Sequence, residues 1–262
     1  TAISEFEFLT GCTKTFLPGN PYLQYIDDYL PSVISNIKSQ KGYGEAVAVH
    51  PYNPSGYNRN RVYPLLHFDS FLSIDDFKNP LLIRDYISDK SDYEKIIDLY
   101  KNKKKDSSLC VFNVTMQNHN PYNFDYVGEV KVTDFSVSSQ VEQYLSLMRK
   151  SDDALKELIT YFKKSDEPAI ILVFGDHQPH LPDSFYEKLF GKNPVQFSRE
   201  DSMKEHLIPF MIWANYDIGE ENIERTSINY LSSLLLEKAG LKMSDYNRYL
   251  LELYKEIPSL SA

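Results

Sequence analysis

The run "AIILVFGDHQPH" at residues 169–180 sets an aspartate and a histidine, Asp176 and His177, directly behind an apolar segment that stops at Gly175. The pair offers one hard carboxylate oxygen and one imidazole nitrogen, a donor set suited to a divalent cation such as Mn2+, Mg2+ or Zn2+. Adjacent ligands cannot fill a coordination sphere, so others must come from elsewhere in the chain. The plain alternative is a turn in which the aspartate caps a backbone amide. Two more histidines follow apolar segments in the same way. His50 closes "EAVAVH" at 45–50, and His119 follows "SLCVFNVTMQ" at 108–117. His67, His180 and His206 lack that placement and read as structural or surface residues.

The elements that must position these groups alternate between helix and strand. Leu23, Ile26, Leu30, Val33, Ile34 and Ile37 share one helical face over 22–41, and Gly42 suits its stop. Strands are expected at 45–50, 108–117, 169–174 and 207–213, the last with Pro209 favouring an edge or a bulge. The run 169–174 is wholly apolar, the pattern of a strand covered on both faces. Residues 51–105 are loop-rich, then weakly helical over 92–101. The longest helical pattern spans 137–164, with further helices at about 226–239 and 243–254. Strands separated by long helices imply an α/β chain with a mostly parallel sheet and helices on both faces. Ligands of such sheets bind beyond the carboxyl ends of the strands. His50, His119 and Asp176-His177 all fall there.

Bulk properties narrow the function. The 262 residues suffice for one large domain or two small ones, with a sizeable core. A formal net charge of −9 speaks against nucleic acid, because phosphate backbones call for a basic surface. The basic run "KNKKK" at 101–105 reads as a solvated loop. Two cysteines, Cys12 and Cys110, give neither a disulfide framework nor a metal-ligand spacing. No apolar run approaches the ~20 residues of a membrane span. The opening "TAISEFEFLTG", without a start methionine, reads as an excised piece of a longer chain.

Five motifs in order resemble the extracellular catalytic domain of the lipoteichoic acid synthase family of phosphoglycerol transferases. They are "TAISEF" at 1–6, "HPYNPSGYNRNRVY" at 50–63, "VTMQNHNPY" at 114–122, "FGDHQP" at 174–179 and "PFMIWAN" at 209–215. The resemblance implies an alkaline phosphatase/sulfatase-like fold over residues 1–262 as a single domain, truncated at its N-terminus and lacking its first strand. The family's catalytic threonine, in a Thr-x-x-Ser-Glu-Phe motif, falls on Thr1. Thr1, Asp176 and His177 would then be metal ligands, Mn2+ foremost, with a fourth ligand, a glutamate, on a strand upstream. Glu5 and Glu7 do not occupy that position, so metal is expected to bind this chain weakly or not at all. His50, Tyr57, Arg59 and His119 carry over as substrate contacts, Tyr57 standing where some members have tryptophan. His67 sits where members often carry glycine.

The activity so implied is a two-step transfer. Thr1 attacks the phosphorus of a glycerophospholipid such as phosphatidylglycerol and releases diacylglycerol. The glyceryl phosphate then passes to an acceptor hydroxyl on a glycolipid, a polymer or a glycan. The resemblance also implies a bacterial cell membrane location, with the catalytic domain outside and a missing N-terminal transmembrane region as anchor. Other readings stay open. The fold also hosts sulfatase or phosphodiesterase hydrolases, although no Cys/Ser-x-Pro-x-Arg motif surrounds Thr1 or Cys12. A leading threonine also suits an N-terminal-nucleophile hydrolase, whose sheets are antiparallel. A non-catalytic sensor or glycan-binding domain would retain the fold without the chemistry. Arg59 and Arg61 could equally form surface ion pairs, and Tyr57 could be ordinary packing.

Overall fold

A computed structural model describes residues 1–123 and 126–260. It opens with a helix that periodicity had left unassigned, α1 (Ala2–Thr10). Ala2, Phe6 and Leu9 form one buried stripe at i, i+4 and i+7, and Phe8 is buried beside them. The helix ends at Gly11, whose φ of 72° lets its N–H reach back to the Glu7 carbonyl. A Cβ there would stand 2.6 Å from Leu250 Cδ1 and 3.1 Å from Tyr246 Cε1. Gly11→Ala is therefore expected to lower stability by about 1–3 kcal/mol, read as a lower urea midpoint with unchanged m-value.

The single helix expected over 22–41 is a correction. The chain forms α2 (Pro21–Gln24) and α3 (Val33–Lys38), with a break between them. Pro31 has no N–H to donate and disfavours helix in the residue before it. Ser32 then restarts the helix with a reciprocal capping box to Ser35.

Strand β1 (Glu45–Val49) is followed by α4 (Arg59–Leu65) and β2 (Ser70–Leu72). A two-residue hairpin, β3 (Leu82–Ile83) and β4 (Tyr86–Ile87), leads into α5 (Asp89–Asn102) and β5 (Leu109–Asn113). The sheet order is β2-β1-β5, all parallel, with Val49 opposite both Leu72 and Asn113. That parallel sheet sets aside the N-terminal-nucleophile architecture. The strand expected to run to residue 117 stops at Asn113, and His119 lies in the loop beyond.

Helix α6 (Ser139–Phe162) matches the longest periodic pattern, burying Val141, Leu147, Ala154, Leu158 and Phe162. Strand β6 (Ile170–Phe174), α7 (Asp183–Phe190), α8 (Arg199–Lys204), β7 (Phe210–Ala214), α9 (Ile228–Lys238) and α10 (Asp245–Glu256) complete the chain. β7 runs antiparallel to β6, so only part of the strand set is parallel. β6 is half-buried at all five residues rather than covered on both faces. Among the described residues, each of β5 and β6 is paired along one edge only. Helix α1 couples the two sheets: the Phe8 ring lies 5.7 Å from Phe112 of β5 and 5.2 Å from Phe174 of β6.

Candidate active site

Thr1 stands at the N-cap position of α1, where a threonine hydroxyl ordinarily accepts from a backbone N–H of the first turn. Here it makes no such bond. Its Oγ1 instead donates to Asp176 Oδ2 at 2.5 Å, joining residues 175 apart in the chain. Ser4, on the next turn of α1, donates to the Asp176 carbonyl at 2.7 Å, so two side chains fasten the helix to the loop behind β6. Gly175 keeps that loop tight. Its N–H bonds the Pro209 carbonyl at 3.1 Å, and an added Cβ would lie 3.2 Å from Ile208 Cβ.

Asp176 makes the capping turn with one carboxylate oxygen and turns the other to Thr1. Oδ1 accepts from the His177 N–H at 2.9 Å, the expected capping turn, while Oδ2 faces Thr1 and lies 3.3 Å from His177 Nε2. Burial pushes this carboxyl upward, but the hydrogen bond from the Thr1 hydroxyl and the nearby His177 work against it and hold it below the usual carboxylate range. His177 Nδ1–H donates to the Gln178 carbonyl at 2.8 Å, which leaves the lone pair of a neutral ring on Nε2. A lone pair facing a carboxylate oxygen calls for a proton or a cation between them. Thr1 Oγ1, Asp176 Oδ2 and His177 Nε2 thus suit a divalent metal, with His177 oriented by a partner on its other nitrogen. They fall short of a tetrahedral or octahedral sphere. Among the described residues no group of three or more His, Cys, Asp and Glu side chains is placed to hold a metal.

Arg59 is 2% exposed and its partner Glu5 is 3% exposed, so its ion pair is buried rather than at the surface. Arg59 Nε donates to both Glu5 oxygens at 3.2 Å, Nη2 donates to Glu5 Oε1 at 2.5 Å, and Nη1 reaches the Gly56 carbonyl at 3.3 Å. Burial works against the guanidinium charge, but Glu5 outweighs it and keeps Arg59 firmly protonated. A guanidinium has five N–H donors, so one remains on each terminal nitrogen. Tyr57, 46% exposed with a φ of 54°, places its ring 5.2 Å from the Arg59 guanidinium carbon. That is a cation–π contact at a strained turn, not core packing.

His50 is buried behind β1, with Nδ1–H donating to the Val114 carbonyl at 2.8 Å. Burial first, then the Arg59 charge, lower its pKa to about 4, so it is neutral near pH 7 with an accepting lone pair on Nε2. Its unfolded form protonates near 6.5 and its folded form only near 4, so folding stability is lost as pH falls through that window. The loss reaches about 3 kcal/mol at pH 4. His50→Gln, which keeps a donor for Val114, is expected to lose about 3 kcal/mol less between pH 7 and pH 4 in urea titrations. Asp89, raised to about 6 by burial, acts in the opposite sense in both proteins. The difference between them therefore isolates His50.

His119 is exposed, and its Nδ1–H donates to the Asn120 carbonyl at 2.6 Å. A ladder of rings joins it to His50. His50–Tyr52, Tyr52–Tyr86 and Tyr86–His119 are 6.1, 6.2 and 6.0 Å apart. Two of the three strand-end histidines thus share one aromatic wall, while His177 adjoins Thr1. Sequence reasoning missed Ser4, Glu5, Tyr52 and Tyr86. A helical reading of "TAISEF" would have exposed Ser4 and Glu5 at i+3 and i+4 from Thr1. His67 has a φ of 73°, which explains a position compatible with glycine, and its ring packs on Tyr29 at 5.5 Å.

This site and fold define a class. The chain belongs to the sulfatase family, whose model matches residues 1–241. A putative cyclic beta-1,2-glucan modification protein of Rhizobium meliloti (strain 1021) is 31% identical over 268 residues, covering 97% of this chain and 41% of that protein. The structure of the Streptococcus pyogenes phosphoglycerol transferase GacH in complex with sn-glycerol-1-phosphate aligns with a TM-score of 0.78 at 23% identity, covering 98% of this chain and 66% of that one. The lipoteichoic acid synthase LtaP of Listeria monocytogenes aligns with a TM-score of 0.71 at 20% identity, covering 93% and 60%. The likeness to these two structures is one of fold. The chain spans less than half the length of the curated relatives it matches.

Proposed function

We propose that residues 1–262 form one catalytic domain of a phosphoglycerol transferase with Thr1 as nucleophile. The observation that carries this is the diversion of the Thr1 hydroxyl from helix capping to the Asp176 carboxylate, beside His177. In the first step the Thr1 oxygen forms a bond to the phosphorus of a phosphatidylglycerol-like donor. Its proton passes to Asp176 Oδ2 and on to the diacylglycerol oxygen as the phosphorus–oxygen bond to diacylglycerol breaks. In the second step an acceptor hydroxyl displaces Thr1 from the glycerophospho-threonine and gives its proton to Asp176 Oδ2, from which the departing threonine oxygen takes it.

The two spare N–H groups of Arg59 suit phosphate oxygens, one from each terminal nitrogen. Neutral His50 offers Nε2 to a glycerol hydroxyl, and His119, whose Nδ1–H is taken by the Asn120 carbonyl, offers Nε2 as an acceptor at the exposed rim. A divalent cation, Mn2+ foremost or Mg2+ or Zn2+, held by Thr1, Asp176 and His177 would acidify the hydroxyl and offset phosphate charge. The acceptor is proposed to be a hydroxyl of a glycolipid, polymer or glycan, and the name of the R. meliloti relative favours a glycan. Activity is placed at the outer face of a bacterial cell membrane. No helix among the described residues is long and apolar enough to cross one.

The test is diacylglycerol release from phosphatidylglycerol by the full-length protein with Mn2+, scored with and without a glycan acceptor. Transfer of glycerol phosphate to the glycan supports the reading. Release to water alone, whatever the acceptor, would make the protein a phosphodiesterase on the same fold. No release at all would remove the glycerophospholipid donor.

A further inference from the structure

We propose that Glu5 is a positioning residue that presents the Arg59 guanidinium to the phosphate bound at Thr1, an inference that rests on the function proposed above. Helix α1 carries both groups: Glu5 lies one turn after Thr1, and its N–H bonds the Thr1 carbonyl at 3.0 Å. The Glu5 carboxylate accepts from Arg59 and also from the Tyr63 hydroxyl at 2.8 Å. Arg59 and Tyr63 are themselves one turn apart on α4, so a single carboxylate clamps α4 to the nucleophile helix at two points.

The chemistry argues for orientation rather than stability. A carboxylate beside a guanidinium weakens its attraction for an anion, and an apolar pair would hold two buried helices at least as well. A long arginine side chain left alone samples many rotamers. Pinned along its Nε–Nη2 edge by Glu5, and at Nη1 by Gly56, it presents its remaining N–H groups in one direction. Such fixed donors are the ones that assist transfer to phosphorus. Glu5 therefore ties the spacing between nucleophile and phosphate clamp to one helix.

The test is calorimetric binding of sn-glycerol-1-phosphate to the full-length protein, comparing wild type, Glu5→Gln, Arg59→Lys and the double variant. Glu5→Gln is expected to weaken binding about ten-fold or more. In the Arg59→Lys background the same change is expected to cost nothing further. Glu5→Asp, which keeps the charge but draws the carboxylate back, serves if Glu5→Gln does not fold, and is also expected to weaken binding. Unchanged affinity in a folded Glu5 variant, or losses that simply add, would overturn the positioning role while leaving the donor reading intact. A wild-type protein that does not bind the probe would overturn the glycerol phosphate reading and this inference with it.

Discussion

Replacing Thr1 by alanine is expected to lower diacylglycerol release on the order of 10^4-fold while leaving the fold intact. The two halves of that expectation rest on one side chain. The hydroxyl makes no capping bond within α1, so its removal withdraws nothing from the helix. Its one hydrogen bond runs to Asp176, and Asp176 keeps a second link to α1 through Ser4. Stability is accordingly expected to change by no more than about 1 kcal/mol. The effect on rate is different in kind, because among the described residues no other hydroxyl is bonded to that carboxylate oxygen. Thr1→Ser, which keeps the oxygen without the methyl group, is expected to retain measurable activity. Mass spectrometry of donor-treated wild type should show the added glycerol phosphate on the peptide that contains Thr1. Full activity in Thr1→Ala would move the nucleophile elsewhere and end the proposed mechanism.

Arg59→Ala is expected to cost about 3–5 kcal/mol of folding stability, together with loss of activity. The size follows from what remains. Glu5 would keep a carboxylate at 3% exposure with the Tyr63 hydroxyl as its surviving donor. An uncompensated buried charge is costly, whereas an intact buried pair adds little over an apolar one. Replacing both partners, Glu5→Gln with Arg59→Met, is expected to restore most of the stability but none of the activity. Urea denaturation at pH 7 separates these outcomes. A loss under about 1 kcal/mol in Arg59→Ala would mean that water reaches Glu5 and that the pair is not a sealed clamp.

Much of this molecule was legible before any coordinates. The long helix over 139–162 and the strands that end at Val49, Asn113 and Phe174 follow from apolar spacing, which is a local property of the chain. The break at Pro31-Ser32 was also written locally, in a residue without an N–H followed by a capping serine. It was overlooked because the apolar positions on either side keep helical phase. Helix α1 was overlooked for a related reason: "SEFEF" alternates polar and apolar residues, which masks a stripe at i, i+4 and i+7. Asp176, His177 and His50 could be picked out as candidates because they sit just beyond the carboxyl ends of strands.

What no spacing could reveal is which candidates meet. Thr1 and Asp176 are 175 residues apart, Arg59 and Glu5 are 54 apart, and β7 turns out to run against β6. Side-chain type and periodicity encode the element a residue belongs to and the face it presents. Partnership across the chain depends on how those faces pack, and on which buried charge is left for another to neutralise. Apolar spacing and residue type were enough for most of the elements and for the chemical inventory beyond the strand ends. Only the packing of α1 against α4 and the β6 loop decided that Arg59 is held by Glu5 and that the Thr1 hydroxyl points at a carboxylate.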